Sequence, residues 1–103
     1  MIESPESGTA PEGYERVPIE DWSAIEEHLR RAAGRDAVEA SDAEISLRSG
    51  SARFVVTTEG DVNTGMPLHG FATEGVDALY VDAVRGRIRV YGPNGLDYEF
   101  RIP

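Results

Sequence analysis

The sequence predicts an α+β fold in which one N-terminal helix packs on one face of a mostly antiparallel, six-stranded meander sheet. Apolar residues recur at helical spacing in the first third of the chain, and after residue 42 the period of the apolar pattern changes from 3.6 to 2. Glycine stands at nearly every break in the second pattern. Breaks this short connect neighbouring antiparallel strands, which predicts a meander.

The predicted helix covers residues 19–33. Four residues at steps of three, three and four form its apolar stripe: Ile19, Trp22, Ile25 and Leu29. Gly34 follows the stripe, and glycine commonly ends a helix. Because the stripe must be buried, we expect Trp22, Ile25 and Leu29 to contact the sheet.

The alternation of apolar residues and the turn residues predict six strands, at 43–48, 52–58, 62–71, 76–84, 87–92 and 96–102. A three-residue loop at 93–95 aligns the last two strands so that Ile88 pairs with Phe100 and Arg89 with Glu99. This register keeps apolar residues on one face and pairs an arginine with an acid on the other.

Two-residue loops are predicted before and after the fourth strand. The later loop pairs Tyr80 with Tyr91 and Asp82 with Arg89, and the earlier one pairs His69 with Tyr80. These registers place seven candidate ligand or interface residues on the sheet face opposite the helix: His69, Phe71, Tyr80, Asp82, Arg89, Tyr91 and Glu99. Each cross-strand pair contributes about 0.2–1 kcal/mol, so the set can be purely structural. Exposed aromatic residues beside arginine are also typical of binding surfaces, and both interpretations stay open.

The composition limits the class of protein. Nineteen acidic residues face ten basic ones, all of them arginine, and the net charge of −9 argues against nucleic-acid binding. Residues 1–17 are rich in Pro, Ser, Gly and Glu, which predicts a disordered acidic leader before a single α+β domain at 18–103. The sequence has no signal segment and no apolar run of membrane-spanning length, so we expect a cytoplasmic protein without membrane contact.

Signals for chemistry are weak throughout the chain. It has no cysteine and no HxH or HxxxH spacing, so we expect no metal site and no cofactor. No serine stands in a G-x-S-x-G motif, and a chain without lysine cannot form a Walker A loop. The sequence therefore predicts no catalytic residues and favours a protein that is not an enzyme.

The acidic, lysine-free composition and the segments SGSARFVV and GMPLHGF carry one resemblance. Over residues 19–103 the chain resembles small haloarchaeal proteins of unknown function. The resemblance implies a cytoplasm at high salt, where a Debye length of about 3 Å leaves excess carboxylates with little mutual repulsion. It implies no site residue.

We expect the protein to act through association, as a homo-oligomer that uses the sheet face opposite the helix. One helix covers only one face of a six-stranded sheet, so the other face needs a partner, the leader or water. The alternative is a module that binds a small ligand on that face, through His69, Tyr80, Tyr91 and Arg89.

Overall fold

The computed structural model describes residues 11–65, 70–92 and 95–103. Within these ranges the helix α1 covers Trp22–Ala33, and a 3-10 turn at Arg35–Ala37 follows it. Nine strands are described: β1 Glu15–Pro18, β2 Val38–Ala40, β3 Glu44–Ser49, β4 Ala52–Thr57, β5 Val62–Gly65, β6 Gly70–Thr73, β7 Ala78–Asp82, β8 Arg87–Tyr91 and β9 Asp97–Arg101. Every described strand pair is antiparallel, so the predicted α+β class with antiparallel strands is confirmed.

The described strands form two sheets, so the predicted single six-stranded meander is wrong. The first sheet has the order β1-β7-β8-β9, and the second has the order β2-β3-β4-β5-β6. The difference arises at residues 62–71, which do not form one strand. The chain reverses there, so that Val62 pairs with Thr73 and Gly65 with Gly70. Strand β7 then pairs with β1 and not with the strand that precedes it in the chain.

His69 lies in the segment 66–69, outside the described residues. The cross-strand neighbours of Tyr80, its predicted partner, are Arg16 on β1 and Arg89 on β8. The expectation that His69 shares a sheet row with Tyr80 therefore has no support.

Strand β1 falls inside the segment that we predict from composition as a disordered leader. Residues 15–18 instead pair with β7, and Val17 is buried opposite Leu79. Four residues with one buried apolar side chain are too few to show an alternating pattern. The segment before them is rich in Pro, Ser and Glu, so its composition predicts disorder and not a strand. Because β1 is an edge strand, it brings Arg16 next to Tyr80.

The apolar core lies between the two sheets and α1. Phe54 of β4 and Phe100 of β9 are fully buried, and their ring centroids lie 5.3 Å apart. Ile25 and Leu29 are also fully buried, and α1 packs against β1 and β7 of the first sheet and β2 and β3 of the second. The helix therefore contacts both sheets and does not cover one face of a single sheet.

Phe71 belongs to this interior and not to the outer face that the sequence predicts for it. Its ring stacks on that of Tyr98, with centroids 4.1 Å apart and planes 2° from parallel. Tyr98 pairs with the buried Val90, so both rings lie on the core side of their sheets. The difference follows from the reversal of the chain at residues 62–73, which moves Phe71 from the first sheet to the second.

The last hairpin has the predicted register, with Ile88 opposite Phe100 and Arg89 opposite Glu99. The preceding hairpin is shifted by two residues, so that Tyr80 pairs with Arg89 and Asp82 with Arg87. The shift arises because its turn has four residues instead of two. A shift of two residues leaves every side chain on its predicted face.

Candidate functional site

The outer face of the first sheet carries a row of polar side chains that crosses all its strands. Arg16 of β1 pairs with Tyr80 of β7, Tyr80 with Arg89 of β8, and Arg89 with Glu99 of β9. Side chains alternate across a strand, and the neighbours Val17, Leu79, Val81, Ile88 and Val90 point into the core. The four polar side chains must therefore face away from the core.

Tyr80 and Tyr91 form an aromatic pair on this face. Their ring centroids lie 5.0 Å apart with the planes at 88°, the edge-to-face geometry that aromatic rings favour. Tyr80 is only 2 % exposed, while Tyr91 is half-buried. Burial raises the pKa of the Tyr91 hydroxyl above its ordinary value, so this phenol stays a neutral hydrogen-bonding group at neutral pH.

Arg89 is held by acids of β9. Its Nε donates to Asp97 Oδ1 at 2.9 Å and its Nη2 to Asp97 Oδ2 at 3.3 Å, a two-pronged contact. The hydrogen bond to Asp97 raises the pKa of Arg89. The Arg89 Cζ atom also lies 6.0 Å from the centroid of the Tyr91 ring. These contacts orient the guanidinium, which leaves Arg89 less free to bind a ligand than the sequence suggests.

Glu99 is the centre of an ionic cluster. Its carboxylate accepts hydrogen bonds from Arg101 Nε at 2.9 Å and from the Tyr14 hydroxyl at 3.2 Å. Arg87 and Arg89 each approach it to 3.8 Å. The hydrogen bond from Arg101 is the largest cause that lowers the pKa of Glu99 below its ordinary value. With this many donors around it, Glu99 acts as a structural anchor.

Asp82 stabilises the turn between β7 and β8. Its Oδ1 accepts a hydrogen bond from the backbone N–H of Arg85 at 3.1 Å, and its Oδ2 lies 3.3 Å from Arg85 Nε. Gly13 passes directly above, because a Cβ atom placed on it would lie 3.3 Å from Asp82 Oδ2. With 2 % of its surface exposed, Asp82 is not accessible to a ligand.

A cavity of about 150 Å³ opens at the other end of the polar row. Arg16, Asp77, Tyr80 and Tyr91 line it, and Ala78 and two glycines complete the wall. The cavity has both polar and apolar groups in its wall and is large enough for several water molecules or a small organic molecule. Two of the seven predicted residues, Tyr80 and Tyr91, thus meet here.

Arg16 is the unusual group of this cavity. Its Nε is buried and has no hydrogen-bond partner among the residues that the structure describes. Two other arginines, Arg48 and Arg53, also lack an ion pair within the described ranges, but both are exposed to solvent. Leaving a buried donor unsatisfied costs about 1–3 kcal/mol, and more for a charged group. Arg16 is therefore the group whose geometry most requires an acceptor in the cavity.

Sequence reasoning missed Arg16 and Asp77. Arg16 stands in the segment predicted as a leader, and Val17 is the only fully buried residue of β1, which is too little to show an alternating pattern. Asp77 stands in the segment 74–77, which connects β6 of the second sheet to β7 of the first sheet. The sequence instead predicts a hairpin loop there. The placement of both residues depends on the pairing of β1 with β7, which local pattern does not reveal.

The described ranges contain no group of three or more His, Asp or Glu side chains placed to hold a metal ion. Nor does any helix within them combine the length and the apolar character that a membrane crossing requires. Comparisons with protein-family models, with curated proteins and with solved structures found no match to this chain.

Proposed function

We propose that this chain is a small-ligand-binding domain whose cavity at Arg16, Tyr80 and Tyr91 binds the anionic group of a small organic molecule. The observation that carries the proposal is that Arg16, whose Nε is buried without a hydrogen-bond partner among the described residues, is one of the residues that line the cavity. A guanidinium donates several hydrogen bonds in a planar fork and pairs well with carboxylates and other oxyanions. A carboxylate bound in the cavity would accept a hydrogen bond from Arg16 and neutralise the charge of its guanidinium.

Two further features support an anion at this position. Arg16 has no ion pair with an acid within 4.0 Å among the described residues, although the chain carries nineteen acids. Tyr91, which is only partly buried, lines the same space, and a phenol can donate to an oxyanion. His69 and Arg89, which the sequence favours as polar contacts, have no part in this proposal.

The sequence favours self-association through this face, but the structure gives this expectation less support. It depends on an exposed aromatic row, whereas Tyr80 is almost fully buried. Tyr14 already contacts Glu99 on the same face. Self-association remains a prediction that sedimentation of the concentrated protein in high salt can measure. The cytoplasmic, high-salt setting likewise remains a proposal that rests on composition.

Titration of acetate into the wild type and into Arg16→Leu tests the proposed function. The backbone amide signals of Tyr80 and Tyr91 report on the cavity, and the ionic strength is kept constant. Removing a charge-assisted hydrogen bond predicts at least about tenfold weaker binding by Arg16→Leu. Arg53→Leu is the matched control, because Arg53 is exposed and lies on the second sheet. Equal affinities of the wild type and Arg16→Leu would contradict the proposal.

A further inference from the structure

We infer that the ligand is a small zwitterion, with a carboxylate bound by Arg16 and an ammonium group bound by Asp77. The inference rests on the proposed function and adds the class of ligand. Its starting point is that one cavity has a guanidinium and a carboxylate in its wall. Neither side chain forms a hydrogen bond or an ion pair with another residue of the described ranges, and they do not pair with each other.

The backbone around Asp77 is fixed from two sides. The Asp77 carbonyl accepts a hydrogen bond from Ile19 N–H at 2.9 Å, and the N–H of Val76 donates to the Gly60 carbonyl at 2.9 Å. Gly60 has a φ of +86°, and a Cβ atom on it would lie 2.5 Å from the Val76 carbonyl oxygen. This close approach holds the segment before β7 against the β4–β5 turn. Asp77 therefore has a defined position relative to Arg16.

A second depression beside the cavity indicates where the carboxylate and the ammonium group of the ligand lie. It has a volume of about 490 Å³, and Arg16 and Asp77 line it together with Glu20 and Glu59. On this side three carboxylates face one guanidinium, an arrangement that attracts a cation. The cavity beside Tyr80 and Tyr91 has Arg16 and one acid, Asp77, in its wall. The carboxylate of the ligand thus lies towards the tyrosines, and the ammonium group lies towards the acids.

The same charges select against other small anions. A dicarboxylate would place its second negative charge near Asp77, and like charges brought together reduce affinity. A simple monocarboxylate would make no ion pair with Asp77, which is exposed and would stay solvated. A molecule with both charges, such as a small amino acid, satisfies both side chains within the available volume.

Glycine and acetate are the probes, because they differ by the ammonium group. Each is titrated into the wild type and Asp77→Asn at constant ionic strength, with the amide signals of Tyr80 and Tyr91 as the readout. The wild type is expected to bind glycine at least about threefold more tightly than acetate, the range of a partly exposed ion pair. Asp77→Asn should remove this preference without weakening acetate. Asp42→Asn changes an aspartate that is exposed, as Asp77 is, but that lines neither the cavity nor the second depression, so it should keep the preference.

The outcomes separate the two proposals. Acetate binding that depends on Arg16, with no preference for glycine in the wild type, would overturn the zwitterion and leave the anion site standing. If neither compound moves the two amide signals, both proposals fail. A preference that persists in Asp77→Asn would overturn the role of Asp77. If Asp77→Asn does not fold, the comparison of glycine with acetate on the wild type still decides whether the ligand needs an ammonium group.

Discussion

The Tyr14 hydroxyl donates a hydrogen bond of 3.2 Å to Glu99 Oε1, which joins the start of the described chain to the last strand of the first sheet. Tyr14 thus lies across the outer face, near Arg89 and Tyr91. Residues 11–14 are thereby held on the folded domain, although the composition around them predicts disorder.

We therefore expect Tyr14→Phe to destabilise the protein by about 0.5–1.5 kcal/mol, the typical net value of a hydrogen bond. Urea unfolding measures the change. Because the two side chains touch, Tyr14→Phe and Glu99→Ala should not be additive in a double-mutant cycle. Strictly additive effects would show that this hydrogen bond does not stabilise the fold.

Gly60→Ala and Gly50→Ala form a matched pair of substitutions. Both glycines have positive φ, but a Cβ on Gly60 meets the Val76 backbone at 2.5 Å, whereas one on Gly50 has no atom within 4 Å. Gly50→Ala should cost only the left-handed strain of about 1–2 kcal/mol. Gly60→Ala should cost distinctly more, because backbone cannot move aside as a flexible side chain can. Equal losses in thermal or urea unfolding would refute the tight contact that fixes Asp77.

We expect the contribution of the Glu99 carboxylate to the free energy of unfolding to be lost in acid. Its pKa is lowered in the folded protein, so its contribution is fully present above the unfolded pKa of about 4.3 and is lost as pH falls through the folded value. Glu99→Gln should destabilise the protein at pH 7 by about 0.2–1 kcal/mol, as for a partly exposed ion pair. The difference from the wild type should shrink as the pH falls below about 4. Urea unfolding across this pH range, with Glu44→Gln as an exposed control, decides whether it does.

The excess of acids predicts that salt stabilises the fold. Screening weakens the mutual repulsion in a chain with a net charge of −9, although it also weakens ion pairs such as Arg89–Asp97. Repulsion should dominate because acids outnumber arginines almost two to one. The midpoint of unfolding should therefore rise between low salt and molar potassium chloride. A midpoint that stays flat or falls would contradict the high-salt proposal.

Local pattern predicted those parts of the fold that depend on neighbours in sequence. The stripe of Ile25 and Leu29 predicted the helix, and the turn residues at 93–95 predicted the register of Arg89 with Glu99. The division into two sheets depends on the reversal at residues 62–73, where the sequence pattern of residues 62–71 predicts a single strand. Strand β1 has too few residues to show a period.

The candidate site depends on the division into two sheets and on the pairing of β1 with β7. Only part of the site could therefore be predicted from local pattern. The sequence predicts Tyr80 and Tyr91 on the outer face. They lie there because a register shift of two residues keeps each side chain on its predicted face. Arg16 and Asp77 join them only when β1 pairs with β7 and the segment 74–77 crosses between the sheets. Burial of the Arg16 Nε is a property of this three-dimensional arrangement and has no signature in the sequence.

The Nε–H signal of Arg16 in a nitrogen-edited proton NMR spectrum tests the central claim most directly. Acetate is added at constant ionic strength, and the Nε–H signals of the exposed Arg48 and Arg53 serve as internal references. We predict a saturable shift of the Arg16 signal, because its buried donor gains an acceptor, with little change in the references. An Arg16 signal that stays in place, or that moves only as much as those of Arg48 and Arg53, would contradict the anion site.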